Sequence, residues 1–319
     1  FRDRVMFRIS ERSHPKLGNK YRVWPLLEFS WAIDDHLLGV THIIRGIDLI
    51  METEVEKFIW DIFQWPHLKV IHTGHFSIEG IKISKSKGAK EVLSGEYIGW
   101  NDPRTWSLQS LKDRGILPES IREFILGMGL TKTNSSVAID VLYSLNKKRL
   151  EQRNSKRFFF VEKPIKITIP GTPKINGQLP MHPSKDLGVR KYKTLQEFYI
   201  PEKDFNNFKD KNYRLMHLLN FKTDKFNSMK PRDFSFISEE PDKTLNVDFL
   251  HWIPGDSANE KKNFKTIVRM SDNSIVEGLC GRAIEELEIG DIIQFERFGF
   301  ARLHALDKKT RKAEFWFTH

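Results

Sequence analysis

The sequence predicts a chain of class α/β plus all-β: an α/β segment, then a helical stretch, then an all-β C-terminal half. Three observations carry that prediction. Between Tyr21 and Val70 apolar and aromatic side chains crowd into short runs broken by Gly39 and Gly46, the pattern of buried parallel strands. Between residues 104 and 152 apolar residues recur at helical spacing. Beyond residue 155 the pattern becomes short alternating stretches with turn residues between them.

The elements follow in order. Val5 to Ile9 is strand-like within a polar, basic opening of 20 residues. Trp24, Phe29, Trp31, Ile33, Val40, Ile43 and Ile44 supply the apolar runs of the α/β part. Glu52 to Phe63 reads as a helix with Val55, Ile59, Ile62 and Phe63 on one face, and Val70-Ile71-His72 as the next strand. This is too short for a whole doubly wound sheet. Ser107 suits the cap of a helix carrying Leu108 and Leu111 and ending near Gly115. Pro118 suits the first turn of the next, with Ile121, Phe124, Ile125 and Met128 at helical spacing. Asn134, Ser135 and Ser136 offer caps for a third, carrying Ala138, Val141, Leu142 and Leu145 and closed by Lys147-Lys148-Arg149. Strands are then expected at Phe158–Val161, Ile165–Ile169, Phe198–Ile200, Arg214–Leu218, Thr266–Met270 and within Asp291–Arg302, forming one or two barrels or sandwiches. Asn227 to Asp242, polar with two prolines, reads as a loop.

Composition narrows the function. Lys plus Arg is 52 against 42 Asp plus Glu, a net charge of +10, which invites a polyanionic partner. No apolar run approaches the roughly 20 residues of a membrane-spanning helix. The one cysteine, Cys280, excludes an internal disulfide and any Cys-based zinc site and suits a reducing cytoplasm. His14, His36, His42, His67, His72 and His75 form no convergent ligand set, so no metal site and no zinc are expected.

The sharpest motif is Lys82-Ile83-Ser84-Lys85-Ser86-Lys87-Gly88, with Lys90 just beyond. Ammonium groups on a loop suit nucleotide phosphates, because positioned cations stabilise transferred phosphate charge. The spacing is not that of a Walker loop. Read alone, such a run is also an ordinary solvated, lysine-rich loop. Arg190, Lys191, Lys193 and Arg214 lie among Tyr192, Phe198 and Tyr199. Basic groups beside aromatics suit unstacked RNA bases, and they equally suit a solvated β-surface over a core.

Lys82-Ile83-Ser84-Lys85-Ser86 resembles the Lys-Met-Ser-Lys-Ser loop of class I aminoacyl-tRNA synthetases, with Ile83 in place of Met. Trp24-Pro25-Leu26-Leu27-Glu28-Phe29 and Ile33 to Gly46 resemble the second half of the glutamyl-tRNA synthetase catalytic domain. Gly99-Trp100-Asn101-Asp102-Pro103-Arg104, Arg114-Gly115 and Ile121-Arg122-Glu123-Phe124 resemble that family's helical segment. Glu197 to Pro201, Arg214-Leu215-Met216 and Gly290 to Arg297 are similar to the β-barrel anticodon-binding region of its archaeal and eukaryotic branch.

The resemblance implies three parts. Residues 1–90 would be the C-terminal half of a Rossmann-like catalytic domain with the end of the acceptor-binding insertion, 91–153 a helical connector on the tRNA stem, and 154–319 the β-barrel anticodon region, expected as two barrels. It implies a reaction too: glutamate attacks the α-phosphate of ATP, held with Mg2+, and the acyl group of glutamyl-adenylate moves to tRNA. Lys85 would meet the phosphates, with Lys82 as a second cation and Ser84 and Ser86 holding the loop. Arg45 would meet the side-chain carboxylate of glutamate, where glutaminyl enzymes carry a small uncharged residue. A guanidinium binds a carboxylate through two parallel hydrogen bonds. An arginine here equally suits a structural ion pair with Asp34, Asp35 or Asp48. Leu27 stands where many relatives have tyrosine, and Trp31 is a neighbour able to reshape the pocket. Asp48, with Leu49 beside it, would lie near the adenosine; Asp48 equally suits a helix-start acid. Arg190, Lys191 and Arg214 would contact tRNA. Partners are then glutamate and the glutamate-acceptor tRNA, with no membrane and no DNA, in the cytoplasm; the residues do not decide whether glutamine-acceptor tRNA is also charged.

His72-Thr73-Gly74-His75 superficially matches the family's His-Ile-Gly-His element, which opens a helix upstream of everything in this chain. The chain begins at Phe1 and is read as lacking the first half of the nucleotide domain, so alone it is not expected to catalyse activation. Two other readings compete: a glutaminyl-tRNA synthetase, which Arg45 opposes, and a tRNA-binding protein without ligase activity.

Overall fold

The computed structural model describes residues 3–81, 84–223 and 233–319. The chain forms two compact units, Phe1–Lys82 with Phe124–Ile139, and Ile83–Glu123 with Asp140–His319.

The first unit opens with an antiparallel pair, β1 (Phe7–Ile9) and β2 (Val23–Pro25). Helix α1 (Leu27–Leu37) follows. The crowded apolar residues Phe29, Trp31 and Ile33, expected on strands, lie on this helix. The density of apolar side chains hides the helical spacing of Phe29, Ala32 and Ile33, whose side chains share one core. Strand β3 (His42–Gly46), helix α2 (Ile50–Ile62) and β4 (Lys69–Thr73) make a βαβ crossover, with β3 and β4 parallel as expected. Ala32, Val55, Ile59 and Trp60 form the shared core, and Trp60 Nε1 donates to the Ala32 carbonyl at 2.9 Å. Strand β5 (Phe76–Ile78) follows.

Helices α3 (Lys85–Leu93), α4 (Leu108–Arg114) and α5 (Pro118–Met128) come next, the division between the units falling within α5. Ser107 caps α4, accepting from the Ser110 N–H at 3.0 Å. Gly115 ends it at φ +90°, a conformation a side chain would strain. Strand β6 (Ser135–Val137) pairs in parallel with β5. Ser135 and Ser136 are therefore strand residues and not caps of α6 (Ile139–Gln152); Glu79 donates its N–H to the Val137 carbonyl in the same pairing.

The rest of the second unit is β-rich. Strands β7 (Arg157–Phe158) and β8 (Phe160–Glu162) are separated by Phe159 alone. They are followed by β9 (Pro164–Thr168), β10 (Ile175–Pro180), β11 (Val189–Thr194) and β12 (Glu197–Pro201). After the short helix α7 (Glu202–Asn206) come β13 (Asn212–Leu215), β14 (Leu219–Thr223), β15 (Phe234–Ser238), β16 (Asp248–Leu250) and β17 (Ile253–Pro254). Helix α8 (Ser257–Glu260) leads to β18 (Phe264–Arg269), β19 (Ile275–Cys280), β20 (Ile292–Phe295), β21 (Gly299–Asp307) and β22 (Lys312–Phe317).

Two cores result. One sheet runs β7-β20-β21-β22-β18-β19-β8. Its two edge strands are consecutive in the chain, so the sheet is nearly closed on itself, which leaves little unpaired edge. It encloses Phe160, Phe264, Phe295 and Phe315. The other core joins Phe198, Leu215 and Phe221 from the sheets β17-β12-β9 and β15-β14-β13-β16 with Phe159 and Trp252 from the connections between strands. Strand β15 lies within the stretch read as a loop; residues 227–232 of that stretch lie outside the described residues. Its alternation of Phe234 and Phe236 with serines is the period-2 signal that the flanking prolines obscured. The expected Arg214–Leu218 strand ends at Leu215 in a turn with His217 at φ +58°.

A buried arginine ties the helices of this unit to its last strand. Arg114, 1% exposed, donates to Tyr143 Oη at 2.9 Å and to the carbonyls of Thr318 and Phe317 at 3.1 and 3.3 Å. Thr318 Oγ1 donates back to the Arg114 carbonyl at 2.5 Å. Arg114→Ala is expected to destabilise the protein by about 3 kcal/mol, read as a lower urea midpoint, because it orphans buried acceptors.

His251 offers a second check. It is buried against Phe159, and burial, with the Arg297 charge nearby, pushes its pKa down to about 4. The unfolded imidazole protonates near its ordinary 6.5, so this contribution is complete above that pH and is lost as pH falls toward 4. His251→Phe should remove about 3 kcal/mol of the loss between pH 7 and pH 4, measured as the difference between wild-type and variant unfolding curves.

Candidate functional site

The first unit carries a buried charged network at the end of β3. Arg45 Nη1 donates to Glu56 Oε1 at 2.7 Å, with the two side chains 7% and 0% exposed. The same nitrogen lies 3.4 Å from Thr53 Oγ1, which is 3.0 Å from His72 Nε2. The Trp31 ring lies under the guanidinium, 5.1 Å from Cζ to the centroid. Strand β3 thus supplies the cation, α2 the carboxylate and hydroxyl, β4 the imidazole and α1 the indole. Burial pushes the Glu56 carboxyl above its ordinary range, against the pull of Arg45. Its second oxygen, Oε2, is buried with no hydrogen-bond partner among the described residues.

Arg45 and Trp31 are therefore brought together. The ion-pair partner of Arg45 is Glu56, not Asp34, Asp35 or Asp48. Leu27 opens α1 and is 58% exposed. Asp48 sits on the single turn Ile47–Leu49, exposed, with Oδ1 3.6 Å from His75 Nε2. The Leu49 carbonyl accepts from Thr53 Oγ1 at 3.2 Å. His72-Thr73-Gly74-His75 ends β4 and leads into β5, and opens no helix. Gly74 is required there by close approach: a Cβ would lie 2.4 Å from the Thr133 carbonyl oxygen.

In the second unit the lysine-rich motif is the start of a helix, where a loop was expected. Ser84 is the N-cap of α3, its Oγ accepting from the Lys87 N–H at 3.4 Å, and Lys85 and Ser86 are the first helical residues. Lys82 and Ile83 lie outside the described residues. Ser84, Lys85, Ser86 and Lys87 are exposed. No acidic residue stands in the first turn. Lysines at the positive end of a helix, without a neutralising acid, give a concentrated positive field suited to an anion.

The same unit holds a cavity of about 500 Å³ between its two cores, lined by Phe159, Asn176, Arg190, Lys191, Tyr192 and Trp252 among others. Hairpin β10–β11 supplies Arg190 and Lys191. Arg190 is buried; its guanidinium covers Phe159 at 4.4 Å and its Nη2 donates to Glu296 Oε1 at 3.3 Å. Lys191 is exposed. Arg214 is buried elsewhere, donating to Asn220 Oδ1 at 3.0 Å and the Glu239 carbonyl at 3.1 Å. Phe198 is core, and Tyr199 donates to Glu260 Oε1 at 2.6 Å, with burial foremost in pushing its pKa up to about 12. Arg190 and Arg214 are thus internal ties and not solvated surface.

Sequence reasoning missed Glu56 and Glu296. Glu56 had a signal: it falls at helical spacing with Thr53 and Trp60 on the buried face of α2, an acid inside an apolar stripe. Glu296 had none, since only the fold brings it to Arg190. Removing Arg190 (Arg190→Ala) should cost about 3 kcal/mol by stranding Glu296, while Lys191→Ala should stay within about 0.5 kcal/mol, both read from denaturant midpoints.

Comparison with known proteins is consistent along the chain. The profile "tRNA synthetases class I (E and Q), catalytic domain" matches residues 1–152. Two profiles described as the anti-codon binding domain of the same synthetases match 155–235 and 248–304. A glutamate–tRNA ligase of Methanocaldococcus jannaschii is 37% identical over 97% of this chain and 54% of its own length. Those of Pyrococcus horikoshii and Methanobrevibacter smithii are 36% and 35% identical, over 94% and 100% of this chain and 52% and 55% of their own. The chain spans about half the length of the curated relatives it matches.

Proposed function

The chain belongs to the class I tRNA synthetases for glutamate and glutamine, and from that premise we propose that it works in the ATP-dependent attachment of glutamate to tRNA. The observation that carries this reading is the order of the matches: a catalytic-domain match followed by two anticodon-binding matches, with relatives that are glutamate–tRNA ligases. Residues 1–90 serve as the second half of the catalytic domain, 91–153 as the connector and 154–319 as the anticodon region.

The chemistry follows from the groups present. The α-carboxylate of glutamate attacks the α-phosphorus of ATP, pyrophosphate leaves, and glutamyl-adenylate passes its acyl group to the tRNA terminal ribose. ATP enters with Mg2+ as part of the substrate. Lys85 at the N-terminus of α3 steadies the phosphate charge that builds as pyrophosphate departs, with Ser84 and Ser86 fixing the turn and Lys82 as a second cation. Asp48 and Leu49 flank the adenosine. Arg45 meets the side-chain carboxylate over Trp31, and Leu27 borders that pocket without the hydrogen bond a tyrosine would add. Lys191 meets tRNA at the cavity between the cores, with Arg190 holding the cavity wall through Glu296 and Arg214 supporting the neighbouring sheet. Exposed Lys191 and the surplus of +10 suit a phosphate backbone. The setting is the cytoplasm; neither a membrane nor DNA is a partner.

The test uses the complete polypeptide that carries this chain, with ATP, tRNA and labelled glutamate. Glutamate should be transferred to tRNA. Lys85→Ala should slow adenylate formation about 100-fold or more while changing tRNA affinity far less. Equal losses in both would count against the phosphate role, and no transfer by the wild type would remove the ligase reading.

A further inference from the structure

Arg45 is not a free cation. Its charge is met by Glu56 at 2.7 Å inside the protein. With Glu56 ionised the pair has no net charge, and a substrate carboxylate arriving at Arg45 adds an unbalanced negative charge to a buried place. A side-chain amide fits that state better. Its carbonyl would accept from Arg45, and its N–H would have an acceptor in Glu56 Oε2, which is buried with no partner among the described residues. A proton on Glu56 reverses the preference, because Arg45 then carries an uncompensated charge that a carboxylate neutralises.

We propose that Glu56 is a specificity-determining residue of the amino-acid pocket: protonated, it leaves Arg45 to the carboxylate of glutamate, and ionised, it pairs with Arg45 to hold the amide of glutamine. The proposal rests on the reading of Arg45 as the residue that meets the amino-acid side chain. The surroundings of Glu56 favour the proton. Burial is the largest influence raising its pKa, and Asp35 and Glu28 from α1 add to it, opposing Arg45 from β3. His72 from β4 reaches the network through Thr53, and Trp31 from α1 places its ring 5.1 Å from the Arg45 guanidinium carbon.

The experiment measures the ratio of kcat/KM for glutamate over glutamine with the complete polypeptide from pH 6 to pH 8.5. The ratio should fall as pH rises, approaching about tenfold per pH unit above the pKa of Glu56. Glu56→Gln keeps the shape and cannot ionise; it should flatten the ratio and hold it across the range at the value the wild type reaches at the acid end. Glu56→Asp, which restores an ionisable group, should bring the pH dependence back and shows that the flattening is not a folding defect. His72 touches the same network through Thr53, so His72→Gln is run beside them and should leave the slope in place. A slope that survives Glu56→Gln, or vanishes in His72→Gln, would overturn the proposal. Glutamate transfer at a pH-independent ratio in the wild type would overturn it while leaving the ligase reading intact. Transfer of neither amino acid would overturn both.

Discussion

Phe158, Phe159 and Phe160 serve two cores from one short extended segment. Side chains alternate across an extended chain, so Phe158 and Phe160 enter the nearly closed seven-stranded sheet while Phe159 enters the neighbouring core. Phe158 ends β7 and Phe160 begins β8, the two edge strands of that sheet. The segment that carries both edges of one sheet therefore also packs into the neighbouring core. Arg190 lies over Phe159 and reaches Glu296, next to the end of β20. Phe158 and Phe159 both line the cavity between the cores.

Cations in this protein divide by exposure. Arg45, Arg114 and Arg190 are buried or nearly so and are spent on carboxylates, carbonyls and aromatic faces. Arginine suits that use, since its planar fork donates in several fixed directions and sheds water more readily than an ammonium. Lysines at 85, 87 and 191 stay exposed, where a solvated point charge can meet phosphate. Charge surplus thus reports on partners only after the internal ties are removed from it. At Arg45 the two uses meet, because a structural partner and a substrate carboxylate would share one guanidinium.

Local signals were legible and long-range ones were not. Ser107, Gly115 and Pro118 bounded their helices correctly because caps and breakers act within a few residues. The β3–α2–β4 crossover followed from apolar periodicity. Helix α1 was misread because aromatic crowding masked its spacing, and Ser135 and Ser136 because cap residues also occupy short strands. The lysine motif was visible, but its place at a helix start was not, since Ser84 reads equally as loop or cap. The order of catalytic and anticodon-binding parts was legible only through resemblance. The pairing of Arg45 with Glu56 depends on how β3 and α2 fold back on each other, and no spacing rule encodes it.

The most direct test of glutamate as the activated amino acid is calorimetric binding of non-hydrolysable mimics of glutamyl-adenylate and glutaminyl-adenylate to the complete polypeptide at neutral pH. The two ligands differ only at the group that Arg45 would meet, so common contacts cancel. The account predicts tighter binding of the glutamyl mimic, with the difference reduced or reversed when Arg45 is replaced by an uncharged residue. Tighter binding of the glutaminyl mimic by the unaltered protein, or equal binding of both, would contradict it.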